Sequence, residues 1–77
     1  MKVNHLYRHK YSDSIIIVKK EIDNINNSKE YIYEYVYSTN IFIISLIKTK
    51  IQRVVQEEDD MAWEYLGSSE KYPEYLI

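Results

Sequence analysis

"KEYIYEYVY" (residues 29–37) decides the fold. Tyr31, Tyr33, Tyr35 and Tyr37 occupy every second position, with Ile32, Glu34 and Val36 between them. Alternation at period two, in aromatic and β-branched residues, predicts a strand with two distinct sides. A helix would scatter the four rings around its axis. Glu34 separates Ile32 from Val36, so neither side of the strand is purely apolar. Turned inward, the tyrosines need hydroxyl partners near a rim. Turned outward, they make a row about 20 Å long, in three steps of roughly 6.6 Å. Four rings exceed what packing requires, so the row is expected to serve as a binding face as readily as a core.

On the N-terminal side, "YSDS" (11–14) and "DNINNS" (23–28) are turn chemistry, because Asp, Asn and Ser bond to their own local backbone. Between them, "IIIVKKEI" (15–22) opens with four β-branched residues that favour a pleated strand over a helix. On the C-terminal side, "STN" (38–40) reads as a short hairpin loop. "IFIISLI" (41–47), apolar on both parities, reads as a central strand covered on both faces. A strand running on to residue 55 would be about 50 Å long, against roughly 30 Å for a domain of this size. The chain is therefore expected to break at "KTK" (48–50), with "IQRVVQ" (51–56) as a further strand.

"EEDDMAWEYLG" (57–67) reads as a helix: acids suit its positive end, Asp59 or Asp60 caps it, and Gly67 stops it. Pro73 holds Tyr72 extended and leaves "PEYLI" as a terminal turn or tail. The expected fold class is α+β, a small antiparallel β-meander or barrel of four to five strands with one C-terminal helix. It forms a single domain over 1–77, with the β part in 1–56 and the helix and acidic tail in 57–77.

Seventy-seven residues leave room for one core and a net stability of roughly 4–11 kcal/mol. A deep substrate cleft would consume scarce core. The absence of cysteine excludes disulfides, thiol catalysis and cysteine zinc sites. A single glycine excludes glycine-rich phosphate loops. "MKVNHLYRHKY" (1–11) contains no apolar signal core, and the longest apolar run is far short of the roughly 20 residues that cross a bilayer. A cytoplasmic protein is the expectation. Ile, Lys, Asn and Tyr are abundant while Gly, Ala, Pro and Arg are scarce, a codon bias that points to an AT-rich genome such as that of a low-GC bacterium, its phages or several virus groups.

The net charge of −2 is unevenly spread: residues 1–56 carry an excess of basic residues and 57–77 an excess of acids. Such asymmetry marks interaction segments. His5 and His9 lack a third ligand at matching spacing and read as surface histidines beside Arg8 and Lys10. The acids Glu57, Glu58, Asp59 and Asp60 read as a helix start, not a catalytic dyad.

No pattern of a nucleophile, metal site or cofactor fold is present, so the expectation is a non-enzymatic protein without a cofactor. The expected function is a small protein-binding module. It reads as a phage, viral or mobile-element accessory protein that inhibits a host protein or defence complex by occluding its surface. The surface would use Tyr31, Tyr33, Tyr35, Tyr37, Glu57, Glu58, Asp59, Asp60 and Trp63. The alternative is a small nucleic-acid-binding barrel with the tyrosines stacking on bases and Lys48, Lys50 and Arg53 on phosphates. Net acidity and two arginines favour the protein partner. Open sheet edges and the apolar run 41–47 also predict a homodimer.

Overall fold

A computed structural model describes residues 1–23, 29–56 and 62–75. The elements run β1 (His5–His9), β2 (Ile15–Asp23), β3 (Lys29–Tyr37), α1 (Ile41–Thr49), β4 (Gln52–Gln56) and β5 (Trp63–Ser68), followed by two single 3₁₀ turns at Ser69–Lys71 and Pro73–Tyr75. The strands form one sheet in the order β4-β3-β2-β1-β5. Every neighbouring pair is antiparallel. The α+β class and the meander hold. The sheet is open, with β4 and β5 at its ends, and is not closed into a barrel.

β2 lies at the centre because its first half can be buried on both sides. Ile15, Ile16, Ile17 and Val18 are all buried. Its even positions meet Tyr7, Tyr31, Tyr33 and Val55 on one face of the sheet. Its odd positions join Leu6 on the other face, under Val36, Leu66, Tyr72 and Tyr75. At the rim of the sheet, Ser14 is fully buried and bonds to the Ser38 hydroxyl at 2.9 Å, which satisfies a polar group that would otherwise be costly. The turn before β2 has Asp13 at φ 53°, in keeping with its turn chemistry. The turn expected at 23–28 lies largely outside the described residues.

Two expectations are overturned. The segment "IFIISLI" is a helix and not a central strand. Asn40 is its N-cap: the side-chain oxygen accepts from the Phe42 N–H at 2.9 Å. Lys50 turns left-handed at φ 53° and closes the C-terminal end, its N–H bonding back to Leu46 and Ile47 carbonyls. Thus "STN" is a helix entry, not a hairpin. An apolar run of this length fits a buried strand or a helix equally by periodicity, and here the caps decide. The break at "KTK" does occur, and β4 follows it as a separate strand.

The second correction concerns 57–67. Its described C-terminal part is β5, paired with β1 from His9↔Trp63 to His5↔Ser68. Among the described residues the one α-helix is therefore internal and not C-terminal. Trp63 and Tyr65 are strong strand formers, and the free edge of β1 offers a full ladder of backbone bonds. Gly67 is no helix stop. It sits in β5 opposite Leu6 with φ 133°, a backbone that disfavours side-chain-bearing residues, just before the chain folds into the 3₁₀ turns. Those turns are tied back by the Ser69 N–H to the Asn4 carbonyl at 2.9 Å and by the Tyr72 hydroxyl to the Leu66 carbonyl at 3.1 Å.

Candidate functional site: an aromatic groove beside an exposed apolar helix

The alternation in β1, β3 and β5 sends aromatic rings to one face of the sheet. Trp63 is the centre of the group. Its ring meets His9 edge-on at 4.8 Å and Tyr33 at 5.7 Å, and Tyr33 in turn meets Tyr35 at 5.4 Å. His9 also meets Tyr11 at 5.8 Å. These are the edge-to-face geometries that ring quadrupoles favour. The rings line an open groove of about 870 Å³, with Lys10 at the turn and Ile43 and Val54 on the opposite wall. A smaller groove of about 380 Å³ lies on the other side of Trp63, bounded by Tyr7, Tyr65 and Met1.

The polar atoms of the larger groove have defined roles. His9 Nδ1 accepts from the Tyr11 N–H at 3.4 Å and lies 3.1 Å from the Ser12 hydroxyl. The groove lining holds no carboxylate, so Lys10 supplies its only formal charge among the described residues. Such a surface presents hydrogen-bond donors on an aromatic ground, as recognition surfaces commonly do.

Next to the groove runs α1. It contains Ile41, Phe42, Ile43, Ile44, Leu46 and Ile47, and none of its residues is buried. Ile41 is 75% exposed and Phe42 81%. Ile51 and Val54 add half-exposed aliphatic groups on the β4 side. Ile43, Ile44, Leu46 and Ile47 are half-buried, and Ile41 and Phe42 form the exposed part of the patch.

The sequence-expected site residues divide. Tyr33, Tyr35 and Trp63 come together in the groove. Tyr31 does not: it is 2% exposed, in the interior between β2 and β4. Tyr33 is itself mostly buried and offers only an edge. Tyr37 leaves the row and packs against Tyr75, ring centroids 6.0 Å apart. The strand thus turns its tyrosines progressively from core to surface. Glu57, Glu58, Asp59 and Asp60 lie outside the described residues. The cations do not converge: Arg53 stands opposite Tyr33, Lys48 is in the last turn of α1, and Lys50 lines a different groove with Lys19 and Glu34.

His5 and His9 are also apart in role. The first bonds to the Tyr65 hydroxyl at 2.8 Å, whereas the second belongs to the groove. No cluster of three potential metal ligands occurs among the described residues. Reasoning from sequence missed Tyr11 and Phe42 as surface elements, and read His9 as a surface histidine without placing it among the rings of the groove. For Phe42 a signal existed in the Asn40 cap and the helical spacing of the apolar run. For Tyr11 there was none, because its place depends on the β1–β2 turn.

Outside the groove, Arg8 bonds to Glu64 through Nε at 3.2 Å and Nη2 at 2.9 Å, and to Asp13 at 3.2 Å. The Glu64 bonds, then those to Asp13, raise the guanidinium pKa further, and the network pins β5 in register on β1. Burial among rings, reinforced by Glu74, raises the Tyr75 pKa above the usual tyrosine value. No helix among the described residues is long and apolar enough to cross a membrane. Compared with protein-family models, curated proteins and solved structures, the chain matches none of them.

Proposed function

We propose that this chain is a small non-enzymatic module that binds another protein through the aromatic groove and the adjoining face of α1. The observation that carries the reading is α1 itself, a helix of six apolar side chains with none buried. In water that exposure is unfavourable by about 25 cal/mol for each Å² left uncovered. A protein partner removes the cost, with Phe42 as the anchor and the groove rings as its rim. The AT-rich composition supports an accessory protein of a phage, virus or mobile element that inhibits a host protein or defence complex by covering its surface. The run Glu57–Asp60 carries four acids and suits a basic, nucleic-acid-binding target.

A second reading has one observation in its favour. Arg53 stands opposite Tyr33 and Lys10 lines the groove, so a nucleic-acid strand would find rings and cations together. Lys48 and Lys50 do not join them, which weights the protein reading. Affinity purification of the tagged chain from a host extract, with and without nuclease, separates the two. The protein reading expects one stoichiometric protein that survives nuclease treatment. Recovery of nucleic acid alone, or of nothing in stoichiometric amount, contradicts it.

A further inference from the structure

The two end strands of the sheet are built differently. β5 carries a register shift against Leu6/Tyr7, the positive-φ Gly67, and Glu64 held by Arg8. Bulges and charges of this kind discourage the addition of another strand. β4 has none of these protections. It pairs with β3 from Glu30↔Gln56 to Glu34↔Gln52 without a register shift, contains no proline, and bears one charge, Arg53. Val54 at its centre is 54% exposed.

We propose that β4 is the seam of a homodimer, in which it pairs antiparallel with β4 of a second copy about a two-fold axis through Val54. In this register Val54 opposes Val54 of the second copy, Arg53 opposes its Val55, and Gln52 opposes its Gln56. The strand is used over its whole length, roughly 17 Å at 3.4 Å per residue. No like charges face each other, whereas an axis through Arg53 would set two guanidinium groups in opposition. Charge therefore selects this register over its neighbour.

A two-fold axis perpendicular to the sheet keeps each face on its own side, so the aromatic faces of both copies form one continuous surface with two grooves. α1 leaves each β4 at its Gln52 end, and the two helices accordingly bracket the seam. Val54 also lines the larger groove, so the seam borders the site of the proposed function; it is tested by β4 pairing and not by what the groove binds.

The chain has no cysteine, so Val54→Cys is a clean probe. Directly opposed residues of an antiparallel pair have Cβ atoms about 4.5–5.5 Å apart, within reach of a short bis-thiol cross-linker. The expected result is covalent dimer at twice the chain mass of 9.4 kDa for Val54→Cys, and monomer for Glu64→Cys on the opposite edge. Amide exchange of the unmodified chain supplies the second measurement and does not depend on any variant folding. On concentration, protection rises in 52–56 and not in 63–68. A mass that stays at 9.4 kDa at high concentration overturns the proposal, as does a dimer that links through residue 64 instead of 54 or gains protection only outside 52–56.

Discussion

On one face of the sheet, Leu6, Ile15 and Ile17 are covered by the chain's own C-terminal end, where Leu66, Tyr72 and Tyr75 pack over them. On the other face, Ile16 and Val18 lie beneath rings that stop short of closing the surface, and a groove of about 870 Å³ remains beside α1. Both faces begin from the same four β-branched residues of β2. What differs is the covering: a tail of two 3₁₀ turns packs over Leu6, Ile15 and Ile17 and leaves only a smaller groove of about 200 Å³ beside Ile17 and Tyr75, while the aromatic face is finished only by side chains. The lesson is a division of labour within one thin sheet. The sealed face supplies stability that does not depend on a partner. The open face holds large rings in defined geometry, and their outer edges are available for contact.

This division can be broken most severely from the sealed side. Leu6 is fully buried, so Leu6→Ala leaves a cavity worth about 2–5 kcal/mol, a large part of the stability expected for this length. Trp63→Ala on the open side is expected to cost no more than about 2 kcal/mol, because the indole is only partly buried and water can enter the space it leaves. Thermal unfolding of the two variants measures the difference directly, at about 4–8 °C per kcal/mol for a domain of this size. Equal losses would mean that the aromatic face is as much a core as the aliphatic one.

A smaller effect sharpens the same contrast through pH. The Tyr75 pKa is raised by burial on the sealed face, so the folded state holds its proton longer than the unfolded state does. The stability contributed by the neutral hydroxyl is complete below the unfolded value of about 10 and is lost as pH rises through the folded one. Unfolding midpoints in denaturant are therefore expected to fall more steeply above pH 10 in the wild type than in Tyr75→Phe. Parallel slopes would remove Tyr75 as a partly buried member of that covering.

Much of this arrangement was legible in the sequence, and the limits are physical. β3 was evident because strict alternation admits one reading, and β2 was read as a strand because its β-branched run outweighed a helical spacing that it also carries. "IIIV" and "IFIISLI" look alike as apolar runs, yet one is the central strand and the other an exposed helix. The difference lies in their punctuation. Asn40 caps the second run by accepting from the Phe42 N–H, and Lys50 takes the left-handed turn that ends it. β5 was hidden for another reason: acids before Trp63 mimic a helix start, whereas the strand is specified by its pairing with β1, 54 residues away at His9↔Trp63. Of the candidate site, Tyr35 and Trp63 could be named from sequence. Their meeting with His9 and Tyr11 could not, because it depends on the sheet order that brings β5 beside β1.

The smallest effect on folding accompanies the largest on binding. Phe42→Ser changes a side chain that is 81% exposed, and its effect on stability is expected to stay within about 0.5 kcal/mol. Paired with Tyr35→Ser, it removes one anchor from α1 and one ring from the groove without touching the sealed face. The direct measurement is quantitative capture of the partner from host extract by the wild type, by the Tyr35→Ser/Phe42→Ser variant, and by Glu74→Ser on the covering turn of the sealed face. The account predicts that the double variant, folded by circular dichroism, loses the partner while Glu74→Ser retains it at wild-type stoichiometry. Retention by the double variant together with loss by Glu74→Ser would contradict the assignment of binding to the open face.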